Sequence, residues 1–213
     1  MIHRNVAVNV LTWNDWKNTI VCLESIYQSN YDNFDIILID NNSDKSHLEK
    51  IYDWSKNKIQ VEDEEFKFDP HKQIDIIEVD ENSKISMLGK KKIYLIKNKT
   101  NIGLTAGLNL GYKFCVNQNY DYISRIDCDF IITKNYLKGM VNTLENNKNV
   151  VAASPKIKHA YLRHTVWWAG MNLNWSYLKF QRTMNLKKKR IIDNETFKGL
   201  INTDAICGCC SFY

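Results

Sequence analysis

The chain has 213 residues, 44% hydrophobic and 25% charged, which excludes disordered and fibrous classes and allows one large α/β domain. Its net charge of +5 is mildly basic, but the two signs are interspersed, so no nucleic-acid partner is expected. No apolar run approaches the roughly 18 residues of a membrane-spanning helix, and a strand pattern beginning by Val6 leaves no room for a signal peptide, so the expected compartment is the cytoplasm.

Val6 to Thr12 alternates loosely and predicts a strand. Trp16, Ile20, Leu23, Ile26 and Tyr27 then recur at helical spacing behind a cap at Asn14 or Asp15. Phe34 to Asp40 is a near-continuous apolar run, the pattern of a parallel strand covered on both faces, and it ends in Asp40-Asn41-Asn42-Ser43-Asp44. A short helix follows, from about Ser46 to Trp54. Residues 55–92 break this rhythm with the acidic cluster Glu62 to Glu65, a lone Pro70, a strand-like Ile74 to Val79 and the basic run Lys90 to Lys92, and read as an insertion.

Ile93 to Lys97 resumes a strand, Asn101-Ile102-Gly103 makes a turn, and Leu104, Leu108, Tyr112 and Cys115 mark a helix ending near Asn117. Tyr120 to Ile126 is the next strand, and it runs into Asp127-Cys128-Asp129. A helix from about Asn135 to Glu145 and a short strand from Val150 to Ser154 precede Pro155. Beyond it, Trp167, Trp168, Gly170, Trp175, Tyr177 and the basic Lys187 to Arg190 suggest a hairpin or loop excursion, and Cys207 to Tyr213 a final strand. Alternating strands and helices of this length predict a mostly parallel central sheet with helices on both faces, in one domain over residues 1–213.

Residues i and i+2 point the same way on an extended chain, so Asp127 and Asp129 could aim at one point past the strand's carboxyl end, where open α/β sheets bind ligands. Two carboxylates beside substrate phosphates suit Mg²⁺ or Mn²⁺; two acids at a strand end also make an ordinary solvated turn. Thr12-Trp13-Asn14 and Asp40-Asn41-Asn42-Ser43 should end on the same edge. Asn101-Ile102-Gly103, leading into a helix with Gly107, Asn109 and Gly111, would add backbone N–H groups and a positive helix end for a diphosphate. Neither the Gly-x-Gly-x-x-Gly order of dinucleotide sites nor a Gly-x-x-x-x-Gly-Lys-Ser/Thr loop is present. The six cysteines read as reduced thiols, and Cys207-Gly208-Cys209-Cys210 has no second Cys or His pair at the spacing zinc needs.

In order and spacing, Val8 to Asn14, Ile37 to Ser43, Asn101 to Gly111 and Asp127-Cys128-Asp129 resemble family 2 glycosyltransferases, over about Val6 to Tyr213. The resemblance implies a GT-A fold, a nucleotide-diphosphate sugar donor, a saccharide or lipid-linked acceptor, inversion at the anomeric centre and a divalent cation, Mg²⁺ or Mn²⁺. It implies further that Thr12 and Asn14 line the nucleotide pocket, that Asp40 hydrogen-bonds the base and that Asn42 shapes that wall. Asn101, Gly103 and Asn109 would lie beside ribose and diphosphate, Asp127 would touch ribose or metal, and Asp129 would hold the metal. Each has a plainer reading: Asp40, Asn42 and Ser43 as a turn, Asn101 as a helix cap.

Trp168, Gly170, Asp204 and Gly208 resemble positions on the family's acceptor side, although the tryptophans also suit core or edge packing. Lys187 to Arg190 has the charge to meet anionic lipid headgroups at the inner face of the membrane, or to remain a solvated loop. Inverting transfer needs a general base, and the family's acidic motif would fall beyond Tyr213, so the domain is expected to be incomplete at its C-terminal end and its catalytic residue is unassigned. The alternatives are a non-catalytic nucleotide-sugar binding module and, on a similar fold, a sugar nucleotidyltransferase, whose Gly-rich N-terminal loop is missing here.

Overall fold

Val6, Val8 and Val10 point to one side of strand β1 (Val6–Thr12), while Ala7 and Leu11 point to the other; both sides pack into hydrophobic clusters. Strand β2 (Phe34–Asp40) repeats this, with Phe34, Ile36 and Leu38 on the first side and Ile37 and Ile39 on the second. A strand covered on both faces cannot alternate apolar with polar residues, which is why β2 reads as a continuous apolar run. This computed structural model describes residues 4–61, 63, 66–67, 73–160, 162, 164–174, 176, 179–182, 191–193 and 199–213. Glu62, Glu64, Glu65, Pro70, Trp175, Tyr177 and the run Lys187 to Arg190 lie outside the described residues.

The remaining elements of the main layer follow in chain order: α1 (Trp16–Tyr27), α2 (Lys45–Ser55), β3 (Ile76–Val79), β4 (Ile93–Lys97), α3 (Leu104–Asn117), β5 (Tyr122–Ile126) and α4 (Tyr136–Asn146). After them come β6 (Ile157–Lys158), β7 (Thr165–Trp168), β8 (Met171–Asn174), β9 (Lys179–Arg182), β10 (Ile191–Ile192) and β11 (Cys210–Phe212). The central sheet has the order β11-β5-β1-β2-β4-β3; β5, β1, β2, β4 and β3 are parallel, and β11 is antiparallel to β5. Buried residues of α1, α2 and α4 share one cluster with one face of the sheet, and those of α3 cover the other. The stretch 55–92 contributes the edge strand β3, and Ile74 just before it is buried in the main cluster. Two small sheets, β10-β7-β6 and β8-β9, make up the excursion after Pro155. Among the described residues no helix is long and apolar enough to cross a membrane.

Several elements differ from expectation for visible reasons. Asp15, not Asn14, caps α1: its side chain accepts from the Asn18 N–H, while Asn14 sits at φ 52°. Val150 to Ser154 forms no strand, only a single antiparallel bridge between Ala153 and Phe212. Val151 is 83% exposed and Pro155 has no N–H to extend a ladder. Cys207 to Cys209 turn before β11 begins at Cys210.

Gly107 and Gly111, one helical turn apart on α3, are contact points with β1. A Cβ on Gly107 would stand 2.6 Å from Leu11 Cδ1, and one on Gly111 2.1 Å from Asn9 Oδ1, so their lack of side chains lets α3 lie directly on β1. Gly111→Ala should therefore cost about 1–3 kcal/mol through forced displacement of the helix. Gly139→Ala, where a Cβ meets nothing within 4 Å on α4, should gain about 0.5–1 kcal/mol. Urea unfolding of both variants measures the contrast, and equal effects at the two positions would contradict the contact.

Candidate functional site

Parallel pairing aligns the carboxyl ends of four strands. Thr12 pairs with Asp40 and Asp40 with Lys97, while β5 lies on the other side of β1 and ends at Ile126. The chain passes from β1 outward to β2 and the edge strand β3, turns back to β4 between them and then crosses to β5 on the far side of β1, so the strand order reverses between β1 and β5. Ligands of open α/β sheets bind in the crevice at such a reversal.

The loops after β1 and β2 are laced together. The Asn14 N–H donates to Ser43 Oγ at 3.0 Å, the Asp44 N–H to Asn14 Oδ1 at 2.7 Å, and the Asn41 N–H to the Thr12 carbonyl at 3.0 Å. Asp40 is 2% exposed, and its two oxygens accept from the Ser43 N–H at 3.2 and 3.3 Å. Asn42 is exposed, at φ 63°. Thr12 points inward instead: its hydroxyl lies 2.7 Å from the Thr19 hydroxyl and 3.1 Å from His47 Nε2.

Burial lowers the pKa of His47, more than Asp40, Asp15 and Asp44 raise it. The folded state thus prefers the neutral ring, and the unfolded chain binds the extra proton. Stability should fall as pH drops below the ordinary histidine value of 6.5 towards the depressed folded one. In His47→Gln that part of the loss should be absent, as the difference between the two proteins' denaturant midpoints across pH 7 to 5 would show.

Asn41, 3% exposed, organises the third loop. Its Nδ2 donates to Asn101 Oδ1 at 2.9 Å and to the Gly103 carbonyl at 3.4 Å, while its Oδ1 accepts from Asn98 Nδ2 at 3.0 Å and from the Ile102 N–H at 3.1 Å. Asn101 also accepts from the Gly103 N–H at 2.9 Å. Gly103, at φ 81°, takes the cap position of α3, and no side chain caps that helix. Asn109 lies on the exposed side of α3.

Asp127 and Asp129 do not continue the strand: β5 ends at Ile126, and residues 127–130 form a turn closed by the Phe130 N–H on the Asp127 carbonyl at 3.1 Å. The expected extended alternation is thus replaced by a turn; Asp127 is half-buried and Asp129 exposed. Arg125 Nη2 donates to Asp127 Oδ1 at 3.0 Å. Burial pushes the Asp127 carboxyl up, Arg125 pulls it down, and the charge of Asp129 adds to the push. A half-buried carboxylate raised partly by a second carboxylate is a donor set that a divalent cation fits, because the cation removes their repulsion. Among the described residues no group of three or more His, Cys, Asp or Glu could hold a metal, so the remaining ligands would come from substrate and water.

Beside Asp127 a cleft of about 430 Å³ opens, lined by Arg125, Trp167, Trp168, Cys207, Gly208 and Cys209 among others. Trp168 is 8% exposed and donates from Nε1 to Ser154 Oγ at 3.3 Å, so it is chiefly a core residue with one face on the cleft. Gly208 lies exposed at its wall. Gly170, at φ 99°, turns β7 into β8. Asp204 lies outside the lining: its Oδ2 accepts from the Leu173 N–H at 2.8 Å, and its N–H donates to the Met171 carbonyl at 2.9 Å, fastening β8. Burial and the neighbouring Cys207 push the Cys209 thiol up to about 12, so that sulfur is at rest as a thiol.

Three residues here escaped the sequence reading. The same period of two that pairs Asp127 with Asp129 pairs Arg125 with Asp127, a signal that could have been used. Trp13, 56% exposed after β1, is a large apolar group in an otherwise polar loop. The inward role of Asn41 has no sequence signal separating it from Asn42.

The profile of the family described as Glycosyl transferase family 2 matches residues 64–207. No curated protein sequence matches the chain. Among solved structures, the mannosyltransferase PcManGT from Pyrobaculum calidifontis in complex with GDP-Man and Mn²⁺ is 15% identical, with a TM-score of 0.52, over 75% of this chain and 37% of that one. S. aureus TarS 1-349 in complex with UDP is 17% identical with a TM-score of 0.46, over 68% of this chain and 33% of that one. The chain thus spans about a third of the length of these structures. The sheet shares the GT-A fold of the mannosyltransferase, and with a family profile covering more than half its length, the chain belongs to glycosyl transferase family 2.

Proposed function

We propose that the carboxyl edge of β5-β1-β2-β4 is the donor site of a glycosyltransferase that moves a sugar from a nucleoside diphosphate to a saccharide or lipid-linked acceptor, with inversion and with the help of a divalent cation. The observation that carries this reading is the convergence of four loops on one edge at the reversal between β1 and β5, in a chain of this family. Asp40, Asn14 and Asn42 form the nucleobase end, held rigid by the hydrogen bonds between the first two loops. The exposed indole of Trp13 offers the base a flat apolar face. Asn101 and Gly103 present the uncapped start of α3 towards ribose and diphosphate, with Asn109 about one and a half turns further along, and Thr12 supports the wall from beneath through Thr19 and His47.

Asp127 and Asp129 hold the cation, Mg²⁺ or Mn²⁺, which when bound stabilises the charge of the leaving diphosphate. Arg125 fixes the Asp127 carboxylate by one oxygen and leaves the other open. The cleft beside Asp127, with Trp167, Trp168 and Gly208, takes the sugar and the acceptor, and Gly170 and Asp204 hold the β8 side of that wall. Calorimetric titration with UDP, GDP and dTDP, each with and without Mn²⁺, tests the reading. Metal-dependent binding of at least one is expected; a folded sample binding none would overturn it.

A further inference from the structure

The wall of the cleft facing Asp127 contains Cys207, Gly208 and Cys209, and the two sulfurs lie 3.2 Å apart. That approach follows from the local backbone: Gly208 and Cys209 form a turn, which folds the flanking side chains towards each other. A disulfide needs about 2.05 Å between sulfurs, so little further movement closes the pair, and Gly208 between them carries no side chain to obstruct it. A Cβ on Gly208 would stand at ordinary contact distance, 3.5 Å, from Arg125 Nη1. Among the described residues no third ligand makes the pair a metal site.

We propose that Cys207 and Cys209 form a reversible thiol-modification site, closed to an internal disulfide by small disulfides of the glutathione class. Cys209, the more exposed of the two, gives up its proton to solvent and attacks the reagent's S–S bond as the thiolate, forming a mixed disulfide, while the reagent thiolate released takes up a proton. Cys207 then attacks the Cys209 sulfur, forming the internal bond and releasing the second reagent thiol. Two protein thiols are oxidised, and one reagent disulfide is reduced to two thiols. The Cys209 carbonyl accepts the Asp127 N–H at 2.9 Å, so drawing the two cysteines together pulls on the turn that carries Asp127 and Asp129. This coupling rests on the donor-site reading; bond formation does not.

Prolonged incubation of the folded chain with oxidised glutathione, followed by acid quench, alkylation and mass spectrometry, tests the site. The expected product is about 2 Da lighter, carries its bond between Cys207 and Cys209 in peptide maps and is restored by dithiothreitol. Cys207→Ser should instead retain a glutathione adduct on Cys209. A stable adduct on the wild-type chain, a bond to Cys210, Cys128 or Cys22, or no reaction would overturn the proposal. The oxidised chain should bind a nucleoside diphosphate with Mn²⁺ at least about tenfold more weakly than the reduced chain. Equal binding would overturn the coupling alone, and absence of binding in both forms would overturn the donor-site reading while leaving the mass result to decide the thiol site.

Discussion

Replacing Asp129 with alanine is expected to weaken Mn²⁺-dependent nucleotide binding at least about a hundredfold while leaving the unfolding midpoint unchanged. Asp129 is exposed in a four-residue turn beyond the end of β5. Exposed turn residues of this kind typically change stability by no more than about 0.5 kcal/mol. Its charge is nonetheless felt at Asp127, so the two carboxylates share a field that one cation can answer. Calorimetry with and without Mn²⁺ measures the binding, and thermal denaturation the fold. A variant that unfolds, or one whose Mn²⁺-dependent nucleotide binding matches that of the wild type, would return Asp129 to an ordinary solvated turn.

Asp35→Ala should have the opposite profile, costing about 3–5 kcal/mol of stability and sparing nucleotide affinity wherever the protein remains folded. Asp35 is fully buried near the amino end of β2, away from the candidate site. Its carboxylate accepts from the N–H groups of Gly89 at 2.6 Å, Lys90 at 2.9 Å and Lys92 at 3.1 Å, and from the Tyr120 hydroxyl at 3.0 Å. Alanine leaves four donors without an acceptor, those of Gly89 and Tyr120 buried and those of Lys90 and Lys92 partly so, and each unmet buried donor retains its desolvation cost. Burial, reinforced by Asp35, already drives the Tyr120 hydroxyl far above its ordinary range, a sign of how dry this corner is. Urea denaturation of wild type, Asp35→Ala and Asp35→Asn should rank them in that chemistry: asparagine keeps one acceptor oxygen and should lose about half as much.

The contrast between these two aspartates shows what a sequence can and cannot reveal. Both stand at the ends of apolar strands, and alternation alone treats them alike. The strands themselves were legible because β1 and β2 are covered on both faces and β4 continues the pattern, so burial forces an apolar run whatever the distant contacts are. Their shared edge was legible too, since parallel pairing follows from alternating strands and helices and brings the ends of β1, β2 and β5 together. What escaped depends on contacts far apart in the chain. Asn41 reaches across to Asn98 and Asn101, and Asp35 to Gly89 and Tyr120. The close fit of Gly107 and Gly111 shows only once the position of β1 beneath them is known. The turn at 127–130, closed by the Phe130 N–H on the Asp127 carbonyl, also lies beside a segment more than eighty residues later, whose Cys209 carbonyl accepts the Asp127 N–H.

Paramagnetic broadening by Mn²⁺ in amide NMR spectra, recorded with and without UDP or GDP, is the most direct measurement of where the donor site lies. With the nucleotide present, amides of residues 127–130 should broaden first, followed by those at the start of α3 and in the Asn41 to Ser43 loop, and an equal concentration of Mg²⁺ should reverse the effect. Broadening centred on the amino ends of the strands or on the β8-β9 hairpin, or none at saturating nucleotide, would contradict the assignment of this edge.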